Sequence, residues 1–102
     1  MALPPAVRPY KRTEVFTEAT VPPGLLKTHT TKPGTWGLIH VLEGSLGYRL
    51  TDPARAPAFE VLTPENPPGV VEPTILHQVE LLGPTRFFVE FLRVDGPNSL
   101  AV

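Results

Sequence analysis

Apolar and polar positions alternate along this chain in short runs with a period of two, the spacing of β-strands and not of helices. The clearest run is RFFVEFLRV (86–94), in which Phe87, Val89 and Phe91 oppose Phe88, Glu90 and Leu92. The Pro-free window 34–52, GTWGLIHVLEGSLGYRLTD, divides into a strand 35–42, a turn at Glu43-Gly44-Ser45 and a strand 46–51. In the second of these Leu46, Tyr48 and Leu50 face one way, with Gly47 and Arg49 facing the other. FEVLT (59–63) predicts another short strand, and VVEP and TILHQVELL predict two pieces around Pro73. Leu25, Lys27, His29 and Thr31 would share one face of a strand ending at the turn Lys32-Pro33-Gly34. Residues 1–12 have no periodicity and predict an extended arm, and the tail DGPNSLAV predicts a frayed end. Seven or eight short strands between turn residues indicate one all-β domain: a sandwich, jelly roll or small barrel.

Composition sharpens this picture. Fourteen prolines and eight glycines in 102 residues exclude a helical bundle, because a helix interior tolerates Pro only at a cost of about 3 kcal/mol. Disorder does not fit a chain with 41% hydrophobic residues and a net charge of −1. The absence of cysteine excludes disulfides, thiolate metal sites and a cysteine nucleophile. A near-neutral chain with pI 6.3 carries no electrostatic footprint for nucleic acid. No signal peptide and no apolar run long enough to span a bilayer is visible, which predicts a cytoplasmic protein without membrane contact.

In a cysteine-free chain the three histidines, His29, His40 and His77, are the natural anchors for a transition metal, together with carboxylates. A strand histidine can equally be a partly buried, hydrogen-bonded side chain, and His40, among Leu38, Ile39, Val41 and Leu42, suits that reading. Glu80 meets a geometric objection, since residues 77 and 80 of a regular strand point to opposite faces unless a bulge intervenes. Glu90, inside an apolar strand, either faces solvent or is buried with a partner. Glu43 and Glu72 fit exposed turns, and Trp36 fits either core packing or ligand stacking. There is no Gly-rich phosphate loop, no GxGxxG and no nucleophile elbow.

The segments YKRTEVFTEATVPPGLL, GLLKTHTTKPGTWGLIHVLEGSLGY and VVEPTILHQVE resemble the small cupin-like domain of the TehB N-terminal/YeaR-like family, over roughly residues 8–93. The resemblance implies a double-stranded β-helix, a jelly roll with its site inside, with a core of about 8–94. Aligned on Gly44, the general cupin metal motif puts His29 at its first histidine position, Thr31 at the second and Trp36 near the glutamate position. His77 matches the histidine of the second motif. Two of four usual ligands survive, so a metal needs a third: Glu80 first, Glu90 as the alternative.

The resemblance implies a divalent transition metal (zinc, iron, nickel or manganese) held by His29, His77 and Glu80, in a pocket with Thr31, Lys32 and Trp36. It links the family to tellurite and stress resistance. The leading expectation is therefore a metal-binding cupin that senses a small molecule or oxyanion, with Lys32 or Arg49 supplying positive charge. A metal-dependent dioxygenase-like enzyme and a metal-free structural or oligomerisation domain are the alternatives. RFFVEFLRV, read as a hydrophobic sheet edge, predicts a homodimer.

Overall fold

The structure is a computed structural model that describes residues 3–94. Its eight strands are β1 (Val7–Arg12), β2 (Phe16–Thr17), β3 (Trp36–Glu43), β4 (Leu46–Leu50), β5 (Ala58–Leu62), β6 (Gly69–Val71), β7 (His77–Leu81) and β8 (Arg86–Val94). A single 3-10 turn, Pro23–Leu26, lies between β2 and β3, and there is no α-helix among the described residues. The strands form two antiparallel sheets. One has the order β1-β8-β3-β6 with β2 also paired to β8; the other has the order β5-β4-β7. The chain changes sheet at four connections, β3 to β4, β5 to β6, β6 to β7 and β7 to β8.

One core joins the sheets. Phe16, Ile39, Val41, Val71 and Phe87 from the first pack with Leu46, Tyr48, Leu62 and Val79 from the second. Strand alternation produces this selection. Ile39 pairs with Val89 and Val41 with Phe87 on the inner face, while Trp36 pairs with Leu92 and His40 with Phe88 on the outer one.

Three expectations change here. Residues 7–12 are not a free arm: they pair with β8 from Val7↔Val94 to Arg12↔Glu90, with a register shift between Pro9 and Lys11. Proline is tolerated because β1 is an edge strand. Second, residues 25–31 do not form a strand. The rigid Pro22-Pro23 pair starts the 3-10 turn, closed by the Leu25 N–H donating to the Pro22 carbonyl at 3.0 Å, and only an isolated bridge at His29 follows. Third, RFFVEFLRV is no edge. β8 has β1 and β2 on one side and β3 on the other, so its backbone groups are already paired and the argument from this segment to a homodimer falls. The tail DGPNSLAV lies outside the described residues.

Candidate functional site

His29 and His77 meet across the isolated bridge. The His29 N–H donates to the His77 carbonyl at 2.8 Å, and the His77 N–H donates to the His29 carbonyl at 2.9 Å. Residues that exchange both bonds lie directly opposite on one face, and the two rings accordingly touch edge-on, 4.2 Å between centroids at 61°. Each ring is oriented the same way. His29 Nδ1 is 2.8 Å from the Lys27 carbonyl and His77 Nδ1 is 2.9 Å from the Ile75 carbonyl. A carbonyl can only accept, so each Nδ1 carries a proton and donates it to the backbone, which leaves each Nε2 as the ring atom free to face a partner.

Neighbouring segments hold this pair in register. Thr51 and Asp52 N–H both donate to the Leu76 carbonyl, at 3.0 and 3.1 Å, and the Leu76 N–H donates to the Asp52 carboxylate at 2.9 Å. The Thr74 N–H donates to the Thr31 carbonyl at 3.2 Å. The Ala54 N–H also donates to the Asp52 carboxylate, at 2.8 Å, and the bonds from Leu76 and Ala54 hold that carboxyl below its ordinary pKa. His77 is only 3% exposed, and burial lowers its pKa. The bond to Ile75 opposes this in part, and neighbouring His29 adds to the lowering.

The histidines stand at one side of a cavity of about 430 Å³ between the sheets. Phe16, Ile39, Val71, Val79, Phe87 and Val89 make its apolar wall, and Thr30, Thr31, Lys32 and Lys11 its polar side. A chamber of this size, largely apolar with a few convergent polar groups, is what small-molecule sites look like.

Of the residues expected here, His29, His77, Thr31 and Lys32 line the cavity, and Trp36, Glu80 and Glu90 do not. Trp36 lies on the outer face of β3, paired with Leu92. Glu80 is exposed on the face of β7 opposite His77 and Val79, as strand parity requires. Glu90 sits on the outer face of β8, 3.0 Å from His40 Nε2, and His40 stacks on Phe88 at 4.6 Å and 11°. Glu72 pairs with Arg55, Glu43 pairs with Arg86, and Arg49 stacks on Phe59 outside the cavity. Lys11, Phe16 and Leu25 line the cavity unforeseen. Lys11 could have been found from the alternation of β1 against β8, but Pro9 hides that strand.

A metal does not fit. Neither carboxylate reaches the histidine pair, and no group of three His, Cys, Asp or Glu side chains among the described residues is arranged to hold an ion.

The family model for the TehB-like domain matches residues 11–89. This chain belongs to the TehB-like family. A probable S-adenosyl-L-methionine-dependent methyltransferase TehB from Haemophilus influenzae KW20/Rd is 40% identical over 74 residues, which are 72% of this chain and 26% of that protein. Its counterpart in strain 10810 is 39% identical over the same share. The TehB-like chain thus spans about a quarter of the length of the curated relatives it matches. In the crystal structure of H. influenzae TehB, the similarity covers 88% of this chain and 32% of that one, with TM-score 0.80 and 30% identity. A crystal structure of an Escherichia coli K12 protein shares the fold over 94% of this chain and 99% of that one, with TM-score 0.83 at 20% identity.

These findings correct the functional expectation. The relatives are named for S-adenosylmethionine-dependent methyl transfer, not for metal binding, so the metal-binding cupin and its dioxygenase alternative are both withdrawn, and with them the transition-metal cofactor. No helix among the described residues is long and apolar enough to cross a membrane.

Proposed function

We propose that this TehB-like chain is a small-molecule-binding module of cupin type that works with S-adenosylmethionine-dependent methyltransferase chemistry. The observation that carries the reading is the cavity of about 430 Å³ between the sheets, apolar on its walls and polar where His29 and His77 stand. Four passages of the chain between two antiparallel sheets support the double-stranded β-helix. The relatives' names support the link to methyl transfer.

The methyl donor itself does not fit this cavity. A nucleoside cofactor needs partners for its ribose hydroxyls, commonly an Asp or Glu, and no carboxylate lines the walls. The module's part is to hold a different small molecule, and the donor belongs to the portion of the relatives that this chain does not cover.

Titration with 1-octanol, followed by the methyl NMR signals of Ile39, Val71 and Val79, tests the cavity. Saturable shifts are expected, and they should weaken in Val89→Phe, which narrows the space. Signals unmoved by both 1-octanol and its carboxylate analogue octanoate in the wild-type protein would refute the reading. Calorimetry with S-adenosylmethionine should show no binding, and saturable binding would overturn the division of labour.

A further inference from the structure

The polar side of the cavity has one sign of charge. Lys11 and Lys32 line it and no Asp or Glu does. Neither lysine is ion-paired with a carboxylate among the described residues. The Lys11 ammonium rests instead 5.5 Å from the Phe91 ring and 5.9 Å from the Tyr10 ring, both also part of the lining. Two carboxylates of the segments around the histidine pair are engaged elsewhere. Asp52 accepts from Leu76 and Ala54 N–H, and Glu72 is bonded to Arg55.

The other polar groups of the lining are largely committed to the protein. The Thr31 hydroxyl donates to the Thr35 carbonyl at 2.7 Å, the Thr30 hydroxyl to the Thr31 carbonyl at 3.1 Å, and the Thr13 hydroxyl to the Glu14 carbonyl at 2.7 Å. Both histidine Nδ1 protons go to carbonyls. The charged donors of the lining are the two ammonium groups, with the Tyr10 and Thr35 hydroxyls as further neutral donors. Cations at the mouth and an aromatic–aliphatic wall behind them complement a ligand that is negative at one end and apolar along its body. A small inorganic oxyanion would leave the wall unused and its own oxygens without partners there.

From this, and resting on the small-molecule reading above, we infer that the cavity takes an amphipathic organic anion, a medium-length aliphatic or aromatic carboxylate, with its carboxylate at Lys32 and Lys11 and its body between the sheets. The test compares octanoate, 1-octanol and octylammonium by the same methyl signals of Ile39, Val71 and Val79. Octanoate should bind at least tenfold more tightly than 1-octanol, and octylammonium more weakly than either. In Lys11→Gln/Lys32→Gln, two exposed substitutions, octanoate should fall to the level of 1-octanol while 1-octanol keeps its wild-type affinity. Equal binding of octanoate and 1-octanol to the wild type, or a preference that survives the double variant, overturns the anion and leaves the cavity reading standing. If neither octanoate nor 1-octanol moves the signals, the cavity reading falls as well.

Discussion

Gly34 and Gly44 both have φ of +80°, and replacing each with alanine separates backbone strain from steric conflict. At Gly34 the added Cβ would meet nothing within 4 Å. Only the left-handed conformation opposes it, a cost of about 1–2 kcal/mol. At Gly44, in the turn where the chain leaves β3 for β4, the same Cβ would stand 2.2 Å from the Pro84 carbonyl oxygen and 3.0 Å from the Thr85 Cα. Both are backbone atoms, so no side chain can swing away. Relieving the conflict must part the β3–β4 turn from the 83–85 turn, where Thr85 is held by its hydroxyl to the Ser45 and Gly83 carbonyls. Overpacking of this kind adds about 1–3 kcal/mol, so Gly44→Ala should lose about 2–5 kcal/mol in all. A domain of this size is stable by about 5–15 kcal/mol, which leaves the variant folded but much weakened. Urea unfolding followed by Trp36 fluorescence measures both variants against the wild type. If the two alanines cost the same within about 0.5 kcal/mol, the close approach at Pro84 is not what demands glycine at position 44.

Four further outcomes follow from the same contacts. His77 has its pKa lowered on folding, so the unfolded chain binds the extra proton first. Stability should hold above about pH 6.5 and fall as pH drops from there through the lower folded value, and urea midpoints against pH should show a shallower fall over this window in His77→Asn. Thr85, 2% exposed, should lose about 1–2 kcal/mol as valine and clearly less as serine in chemical denaturation, because valine strips the hydroxyl bonded to two carbonyls. Tyr48, whose hydroxyl donates to the Val70 carbonyl at 3.0 Å, has its phenol pushed up to about 12, by burial first and then by Glu60 and Glu72. An ultraviolet titration should therefore show a phenolate step near 12 that is missing in Tyr48→Phe, and a chain whose tyrosines have all ionised well before that pH would contradict the burial. Asp52→Ala should speed hydrogen exchange at Leu76 while leaving β3 amides unchanged, and unchanged exchange at Leu76 would deny Asp52 its role in positioning the histidine segment.

The strands most legible from alternation are those that alternate in space. β3 begins one residue after its expected start and ends one after its expected end, and β4 and β5 are displaced by about as little. What periodicity could not convey is pairing. Alternation in RFFVEFLRV reports which face of the strand is buried and carries no information on which strands lie beside it. Its place between β1 and β3 is set by long-range backbone pairing. β1 was hidden by Pro9, which suits an edge strand whose N–H need not pair, and whose register shifts just there. The proline-dense segment PENPPG has a related reason. Up to Gly69, where β6 begins, it carries the chain from β5 in one sheet to β6 in the other, a stretch with no ladder partners, where Pro67 and Pro68 leave no N–H unpaired. The Thr63–Asn66 turn that opens it is closed by the Asn66 side chain, which accepts from the Thr63 N–H at 3.1 Å.

The candidate site divides along the same line. Glu80 as third ligand requires a bulge to lift the parity objection, and β7 runs regularly with Glu80 exposed on the face opposite His77. The pairing of His29 with His77 needed tertiary information, since it depends on an irregular segment that makes one bridge and no strand. That bridge is also what separates this site from a metal centre. Two histidines directly opposite in an antiparallel pair bring their rings together, but the carboxylates capable of completing a coordination shell lie on outward faces, where Glu90 takes His40 and Glu72 takes Arg55. With the acids turned outward, the inward surface is left with histidine, lysine, hydroxyl groups and hydrocarbon. A chamber with that lining discriminates by shape and by negative charge, which is the chemistry of holding an organic anion and not of activating water on a metal.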